Sequence, residues 1–311
     1  MIDTLSRAFF HALAGSGTLK TFASRYGMRR VDSFARRFIA GETIDEAIAA
    51  ARGIHAAGLR TTLDFLGESV ATSAGADAVT REYVAIIRRV VESGVERNLS
   101  IKLTQIGLDV DRVTCIDNLR RMLDRAGDSF FVRIDMENSP YTAQTLDVIE
   151  TLWDQGYRQI GAVVQSYLRR SEEDARRLSR LGIRIRLVKG AYKEPPEVAY
   201  QKKTEVDDAF VRLMRTLLDE NPYAAIATQD PTMIDATKAY AAARGVGRDR
   251  FEFQMLYGIR RDLQSALARD YTVRVYVPFG RQWYPYFMRR LGERPANVRF
   301  VLGSVFKEKR A

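Results

Sequence analysis

Four residues near the carboxyl end of the chain, Tyr286, Arg289, Arg290 and Glu293, are spaced so that they line one stripe of a helix. Adjacent arginines can hold a carboxylate through charge-assisted, bidentate hydrogen bonds, and the aromatic residues just before them could form a wall beside it. The spacing alone favours a surface helix with salt bridges. A carboxylate clamp is the functional hypothesis for this segment, and the surface helix is its structural alternative.

The segment Arg186-Leu-Val-Lys-Gly-Ala-Tyr192 has the pattern of a strand that ends in Lys189-Gly190. A glycine at that point lets a ligand approach the backbone closely, because no Cβ stands in the way. The chain contains neither a GxGxxG motif nor a Walker motif. We therefore expect any dinucleotide to be held without a phosphate-binding loop of these types.

From residue 59 onward, short strand-like runs alternate with amphipathic helical segments. The predicted strands span residues 59–65, 99–104, 130–135, 160–165, 183–189, 223–228, 250–255 and 271–277. Parallel strands need crossover helices, and eight such units over about 235 residues fit an α/β protein with a (β/α)8 TIM-type barrel. A doubly wound sheet is the competing arrangement, but eight near-equal units favour closure.

The predicted strands end in polar or ionisable residues, although their interiors are rich in Ile, Val, Leu and Phe. These residues are Asp64, Lys102, Asp135, Gln165, Lys189, Thr228, Gln254 and Tyr276. The carboxyl ends of the strands carry the active site in barrels of this kind, so the eight side chains predict the floor of a polar pocket. Lys102 and Asp135, on adjacent strands, could pair with each other or could act on a substrate and shift its protonation.

The first 57 residues have a helical pattern, and we predict an extension over residues 1–57 that belongs to the same domain as a barrel over 58–311. Thr43 to Glu46 resembles a helix cap, with Gly53 or Gly58 near the end of that helix. The first helix carries Ile2, Leu5, Phe9, Phe10 and Leu13 on or near one face. We favour packing of this face onto the barrel or a neighbouring subunit over binding to a membrane surface.

Composition limits the chemistry that the chain can perform. Among 311 residues, a hydrophobic fraction of 46% and a charged fraction of 28% indicate a folded, soluble protein. Cys115 is the only cysteine, which excludes an internal disulfide and favours a reducing compartment. His11 and His55 are not spaced as metal ligands, so we predict no metal site. Catalysis must then use other side chains or a cofactor.

The formal charge of +10 could attract nucleic acid or an anionic membrane. The basic residues are spread through helices, usually close to acidic ones, and no dense basic stretch is interleaved with aromatics, so we predict no nucleic-acid binding. No apolar run is long enough to span a bilayer, and the amino terminus lacks the basic region of a signal peptide. We expect a cytoplasmic protein, with peripheral contact with the inner face of the membrane left open.

Several segments resemble motifs of the proline dehydrogenase family, in the family's order. They are SIKLTQ at 100–105, RIDMEN at 133–138, RLVKGAY at 186–192, FEFQMLYG at 251–258 and YFMRRLGE at 286–293. The resemblance runs from Leu59 to Glu293, and the chain length implies the monofunctional bacterial type. It implies a distorted (β/α)8 barrel with non-covalent FAD that oxidises L-proline to Δ1-pyrroline-5-carboxylate and passes the electrons to a membrane quinone.

The resemblance also implies roles for individual residues. Arg289 and Arg290 would bind the substrate carboxylate with help from Lys102. Asp135 would orient Lys102, and Arg186 would lie against the flavin near its reactive N5. The proline ring would be walled by Leu187, Tyr192, Tyr276 and Tyr286, and Glu68 would pair with Arg289 to close the site. FAD would contact Met136, Gln165, Arg186, Val188, Lys189, Gly190, Ala191, Thr228 and Gln229.

Two positions depart from the family pattern. Gln229 stands where histidine is usual, and Lys193 stands where the bifunctional relatives tend to have tryptophan. Glutamine can still make a hydrogen bond but carries no charge, so a contact to an FAD phosphate would be weaker.

Hydride leaves proline only when the amine is neutral, and a cationic pocket of Lys102, Arg186, Arg289 and Arg290 would lower the pKa of that amine. A rival enzyme hypothesis is a barrel aldolase or lyase with Lys102 or Lys189 as its Schiff-base nucleophile. A rival from another class is a basic protein that binds nucleic acid or membranes.

Overall fold

The computed structural model describes residues 34–67 and 69–292, in which eight parallel strands close into a barrel. Each strand pairs with the next along the chain, and β8 pairs with β1. The strands are β1 (Arg60–Phe65), β2 (Asn98–Ile101), β3 (Phe131–Ile134), β4 (Ile160–Gln165), β5 (Arg184–Val188), β6 (Ala224–Ala227), β7 (Phe251–Leu256) and β8 (Val273–Phe279). The predicted (β/α)8 barrel is confirmed, and closure excludes the doubly wound sheet.

Helices connect the strands and pack around the barrel. They are α1 (Ile44–Ala56), α2 (Ser73–Ser93), α3 (Arg112–Ala126), α4 (Ser139–Asp154), α5 (Ser171–Arg180), α6 (Lys203–Glu220), α7 (Pro231–Arg244), α8 (Arg261–Leu267) and α9 (Trp283–Gly292). Alternate strand residues such as Leu63, Leu99 and Ile134 face these helices and are fully buried. Across the described part of the chain, none of these helices is both long and apolar enough to cross a membrane.

The observed strand bounds match the predicted ones within two residues, except at the end of β2. That strand ends at Ile101, because the chain turns after Lys102 into a 3-10 helix over Leu103–Ile106. Gln105 donates its backbone N–H to the Lys102 carbonyl (3.3 Å), and Gly107 closes the turn with a φ of 111°. This turn leaves Lys102 at the mouth of the barrel.

Helix α1 begins at the predicted cap. The Thr43 side chain accepts a hydrogen bond from the Glu46 backbone N–H, and the Glu46 carboxylate accepts one from the Thr43 N–H, which forms a capping box. The helix ends at Ala56, just before Gly58. Residues 1–33 lie outside the described residues, so the division of the chain at residue 57 stays a prediction.

The interior of the barrel is polar. Buried side chains that take part in contacts across it include Thr62, Ser100, Arg133, Arg186, Glu252, Gln254 and Arg274. A polar group buried without a partner costs free energy, so each of these groups needs a partner from another part of the barrel. Polar contacts inside the barrel therefore help to fix the register of the strands, in addition to apolar packing.

Arg133 illustrates how a long side chain fits into this interior. Its Nη1 donates to the carbonyl oxygens of Ala162 (3.0 Å) and Arg184 (2.7 Å). The side chain passes over Gly161, which is its register partner on β4. A Cβ at position 161 would lie 2.7 Å from Arg133 Nη1 and 2.6 Å from Phe131 Cζ. The close approach therefore requires glycine at this position.

We predict that Gly161→Ala lowers the free energy of unfolding by about 1–3 kcal/mol, because the added methyl group overpacks the interior. Gly53→Ala is the matched control, since Gly53 lies in helix α1 and a methyl group added there would have nothing within 4 Å. That change should raise the free energy of unfolding by roughly 0.5–1 kcal/mol. Urea unfolding measures both, and equal effects of the two variants would contradict the close approach.

Candidate active site

The eight predicted polar residues meet at one mouth of the barrel. Lys102, Asp135, Lys189 and Thr228 directly follow strands β2, β3, β5 and β6, whereas Asp64, Gln165, Gln254 and Tyr276 lie within the carboxyl-terminal parts of β1, β4, β7 and β8. Because all strands are parallel, their carboxyl ends share one end of the barrel. The candidate site is therefore the floor and rim of this mouth.

Lys102 pairs with Asp64 across strands β2 and β1. Its Nζ donates to Asp64 Oδ1 at 3.2 Å, and only 1% of the Asp64 side chain is exposed. Burial opposes the charge of Lys102, but the carboxylates of Asp64 and Asp135 outweigh it and raise the pKa of Lys102. Burial also raises the pKa of Asp64, and the Lys102 ammonium opposes that shift. Lys102 is thus held in its charged form.

The expected pairing of Asp135 with Lys102 is wrong. Asp135 Oδ1 accepts a hydrogen bond from Arg186 Nη1 (2.6 Å), and its Oδ2 accepts one from the Tyr276 hydroxyl (2.8 Å). Asp135 follows β3, whereas Arg186 lies on β5 and Tyr276 on β8, so these bonds cross the interior of the barrel. Asp135 influences Lys102 only through its charge, and Asp64 is the direct partner.

Arg186 is the most firmly held cation of the site. Its Nε donates to Gln254 Oε1 (2.6 Å), its Nη1 to Asp135 and its Nη2 to Ser100 Oγ (3.0 Å). Its guanidinium carbon also lies 5.3 Å from the ring centroid of Tyr276, in the range of a cation–π contact. Only 4% of Arg186 is exposed, so these contacts hold its guanidinium in one orientation at the mouth.

Lys189 takes part in an ion-pair cluster beside the mouth. Its Nζ donates to Asp207 Oδ1 (2.5 Å) and to Asp230 Oδ2 (2.8 Å), and Lys203 also contacts Asp207. Burial opposes the negative charges, but the hydrogen bonds from Lys189 outweigh it and hold the pKa of both carboxyl groups below the usual range. A Schiff-base nucleophile must be a free, unprotonated amine. The engagement of Lys189 and Lys102 with carboxylates therefore disfavours the aldolase hypothesis.

Aromatic side chains surround the paired charges. Burial, followed by the charges of Asp135 and Asp64, raises the pKa of Tyr276, and the Tyr286 phenol adds to the shift. Tyr286 is buried on helix α9, whereas Tyr192 is 40% exposed on the loop after β5. Tyr192 adds to the raised pKa of Lys102, so it also lies close to the site.

Leu187 does not reach the site. It is fully buried in the hydrophobic layer between strands and helices, on the opposite face of β5 from Arg186. This orientation does not favour its expected place in the wall around proline, which stays a prediction. Leu256, at the end of β7, lies on the same face of its strand as Gln254, is half-buried and pairs in register with Tyr276. The same alternation of faces could have identified Leu256 from the FEFQMLYG segment.

The loop after β5 is positioned by Tyr167 and Glu194. Gly190 has a φ of 116°, and a Cβ there would lie 2.4 Å from the Tyr167 ring. Glu194 accepts hydrogen bonds from the backbone N–H of Ser139 (2.7 Å) and from its hydroxyl (2.5 Å), which joins the loop to the start of α4. The backbone at Gly190 is therefore held in a conformation that only glycine adopts easily.

The other residues expected to contact FAD line the same side of the mouth. Met136, Gln165 and Thr228 are buried at their strand ends, Val188 and Gln229 are half-buried, and Ala191 is exposed. Gln165 Nε2 donates to the Glu137 carbonyl (2.8 Å), and Thr228 Oγ1 accepts from the Asp230 N–H (3.1 Å). Within the described residues, the buried Gln229 Oε1 has no hydrogen-bond partner.

Glu137 is a site residue that sequence reasoning missed. It is buried and accepts hydrogen bonds from the Thr104 N–H (3.3 Å) and hydroxyl (2.8 Å). Burial raises the pKa of Glu137, although these bonds and the charge of Lys102 oppose the shift. Its contacts fix the turn that follows Lys102. The position of Glu137, two residues after Asp135 in the RIDMEN segment, was the available signal.

Four residues of the predicted site and its helix cannot be placed by their side chains. Arg289 and Arg290 belong to helix α9, but their side chains lie outside the described part of the structure, as do Glu68 and Glu293. Among residues 34–67 and 69–292, no cluster of three or more His, Cys, Asp or Glu side chains is suited to bind a metal ion.

We predict that Lys102 is energetically coupled to Asp64 more strongly than to Asp135. Lys102→Met should lower the free energy of unfolding by about 3–5 kcal/mol, because it leaves a buried carboxylate unpaired. Adding Asp64→Asn should recover much of this loss, whereas adding Asp135→Asn should not. Urea unfolding of the single and double variants at pH 7 gives both coupling energies. Equal coupling to the two acids would contradict the observed pairing.

Comparison with known proteins is consistent with this arrangement. A family model described as proline dehydrogenase matches residues 47–302. Proline dehydrogenase 1 of Bacillus subtilis (strain 168) is 41% identical over 304 residues, which cover 97% of this chain and 99% of that protein. The proline dehydrogenase of Deinococcus radiodurans is 39% identical over 313 residues, with coverage of 99% and 100%. The crystal structure of proline utilization A from Bdellovibrio bacteriovorus, inactivated by N-propargylglycine, has a TM-score of 0.79 at 25% identity and covers 87% of this chain and 34% of that one. The chain belongs to the proline dehydrogenase family.

Proposed function

We propose that the chain oxidises L-proline to Δ1-pyrroline-5-carboxylate with a non-covalently bound FAD and passes the electrons to a quinone. Family membership gives the enzyme class, an oxidoreductase acting on proline. The observation that carries the finer proposal is the barrel mouth, where an ammonium, a guanidinium and a phenol from different strands meet. Fixed charges beside aromatic rings suit a small amino acid whose ring must be held in one orientation.

Binding of the proline carboxylate is assigned to Arg289 and Arg290. They lie on helix α9, which starts at Trp283, four residues after the end of β8 at Phe279. The predicted helix is thus present, and Tyr286 of the same helix is close enough to Tyr276 to raise its pKa. A bidentate arginine clamp on α9 would hold the carboxylate against these two rings.

The proline amine must be neutral when the reaction begins. When bound, FAD supplies the two-electron acceptor for the hydride that leaves C5 of proline. Lys102 and Arg186 each have their own carboxylate in Asp64 and Asp135, so the floor of the mouth is nearly neutral overall. The charge that disfavours an ammonium ion therefore has to come mainly from the arginine pair of α9. A neutral amine that loses hydride becomes the C5=N iminium, which then releases its proton to solvent.

Two features of the mouth fit a bound FAD. Gly190 holds the backbone after β5 with a φ of 116° against the Tyr167 ring, so the loop that would face FAD has a fixed conformation. Gln229 Oε1 is a buried acceptor that, within the described residues, has no donor, and the hydroxyl and amino groups of FAD are donors. Met136, Gln165, Val188, Lys189, Ala191 and Thr228 surround these two positions along the strand ends.

A membrane quinone as electron acceptor would require the barrel to approach a bilayer. The net charge of +10 favours an anionic surface. The apolar face predicted for the first helix would add to this attraction, and that helix lies outside the described residues. We propose a cytoplasmic enzyme and leave peripheral contact with the inner face of the membrane open.

An absorbance spectrum of the purified protein before and after anaerobic L-proline tests the proposal. We expect a flavin spectrum that bleaches with L-proline and returns when a soluble quinone is added. Release of FAD on denaturation, identified by chromatography, would show that it is not covalently bound. A protein without flavin, or a flavin that L-proline leaves oxidised, would contradict the proposal.

Arg290→Ala should raise the KM for L-proline by about tenfold or more, because a charge-assisted hydrogen bond is worth about 1.5–3 kcal/mol. The FAD content should stay at the wild-type level. Arg125→Ala is the control, since Arg125 is an exposed arginine in the last turn of α3. Steady-state kinetics measures both variants, and an unchanged KM in Arg290→Ala would remove Arg290 from the clamp.

Leu256 and Leu187 should respond in opposite ways to the same truncation. Leu256→Ala should raise the KM for L-proline by about 5- to 100-fold with little loss of stability, because about 1–3 kcal/mol of apolar contact with the ring is removed. Leu187→Ala should lower the free energy of unfolding by about 2–5 kcal/mol and leave the KM unchanged. The reverse pattern would show that Leu187 is the residue in contact with proline.

A further inference from the structure

A chain of hydrogen bonds runs inside the barrel from the amino-terminal part of β7 to the mouth. Arg274 donates to Glu252 twice, from Nε to Oε1 (2.8 Å) and from Nη2 to Oε2 (3.0 Å). Glu252 Oε1 accepts from Gln254 Nε2 (2.5 Å), and Gln254 Oε1 accepts from Arg186 Nε (2.6 Å). All four side chains are buried, with exposed fractions between 1% and 7%. Glu252 is therefore linked to the site through a single amide.

The amide of Gln254 can present either its oxygen or its nitrogen to Arg186. Only the oxygen can accept the Nε–H of Arg186, since both guanidinium and amide nitrogen are donors. Glu252 favours the same orientation from the other side of the amide, because a carboxylate accepts and cannot donate. An inverted amide would place donor against donor at Arg186 and acceptor against acceptor at Glu252. The charge on Glu252 thus stabilises the orientation that Arg186 needs.

Glu252 is well suited to hold this charge. Its carboxylate accepts bonds from the two Arg274 nitrogens and from the Tyr223 hydroxyl (3.0 Å). Burial opposes the charge, but Arg274 outweighs it and lowers the pKa of Glu252. Arg274 is itself fixed by the Thr61 carbonyl (2.8 Å) and by Glu96 (2.7 Å).

We propose that Glu252 is a positioning residue for the oxidation of proline, which acts by fixing the Gln254 amide so that it orients Arg186. It touches neither substrate nor cofactor. The proposal rests on the proposed function and on the place against the bound FAD that the family resemblance implies for Arg186. The alternative is that Glu252 only stabilises the barrel by neutralising Arg274.

A double-mutant cycle separates these roles. Glu252→Gln should lower kcat/KM for L-proline by about 10- to 100-fold, because the Gln254 amide loses the charged acceptor that helps to hold it in the orientation that Arg186 needs. Gln254→Met removes the amide and should cost a similar factor. In the Gln254→Met background, Glu252→Gln should cost less than about threefold more. The same loss in both backgrounds would overturn the proposal.

Tyr223→Phe is the matched control, since it removes a hydrogen bond to Glu252 without touching Gln254. It should leave kcat/KM near the wild-type value even if the melting temperature falls.

A second variant keeps the test possible if Glu252→Gln folds poorly. Exchanging the two residues (Glu252→Gln with Gln254→Glu) keeps the net charge and gives Arg186 an acceptor that cannot invert. The exchange should restore kcat/KM to within about threefold of wild type, and a folded exchange variant that stays as low as Glu252→Gln would count against the proposal.

A spectroscopic measurement tests the orientation without catalysis. With arginine labelled in 15N, the Arg186 Nε–H should give a slowly exchanging signal that is absent in Arg186→Lys. Glu252→Gln should weaken or shift this signal, and the exchange variant should restore it. An unchanged signal in Glu252→Gln would refute the orienting role. A wild-type protein that keeps the signal but does not oxidise proline would contradict the proposed function instead.

Discussion

Burial of the Arg186 guanidinium is the interaction on which the geometry of the site depends. A cation inside the barrel is tolerated only where fixed acceptors offset its loss of water. These acceptors come from three separate parts of the barrel: Ser100 on β2, Asp135 after β3 and Gln254 on β7. A slip of one residue in a strand would turn its acceptor toward the helices and leave the cation short of a partner. The requirement to satisfy one guanidinium therefore fixes the relative positions of four strands.

Distribution of the charges into two separate pairs has a consequence for binding. Lys102 and Asp64 form one unit, and Arg186, Asp135 and Tyr276 form the other. Each unit keeps its cation oriented, but neither adds much net charge to the mouth. Recognition of an anionic group then has to be supplied by another element, and helix α9 carries the arginines that could do so. The strand ends therefore orient the charged groups of the site, and helix α9 carries the charge that would attract an anionic substrate.

Alternating patterns and strand ends were sufficient to predict the barrel and the eight polar positions at its mouth, because both depend on local spacing. Contacts across the barrel were not predictable from spacing. Asp135 contacts β5 and β8 rather than the adjacent Lys102, since side chains that point into a barrel meet groups from opposite strands as readily as from neighbours. The expectation for Leu187 has a different weakness. Arg186 and Leu187 are consecutive in a strand and must face opposite sides, so the period of two already excluded one of them from the interior.

The polar interior also connects the two ends of the barrel. In folds of this type the amino-terminal end serves mainly stability, and the carboxyl-terminal end carries activity. Here Glu96 accepts the backbone N–H of Thr61 and contacts Arg274, which holds Glu252. An apolar interior would repack around a change at the amino-terminal end, because apolar contacts have little directional preference. Hydrogen bonds are directional, so a displacement at Arg274 would change the acceptor geometry available to Arg186. A change at the amino-terminal end can therefore reach the site along this line of residues.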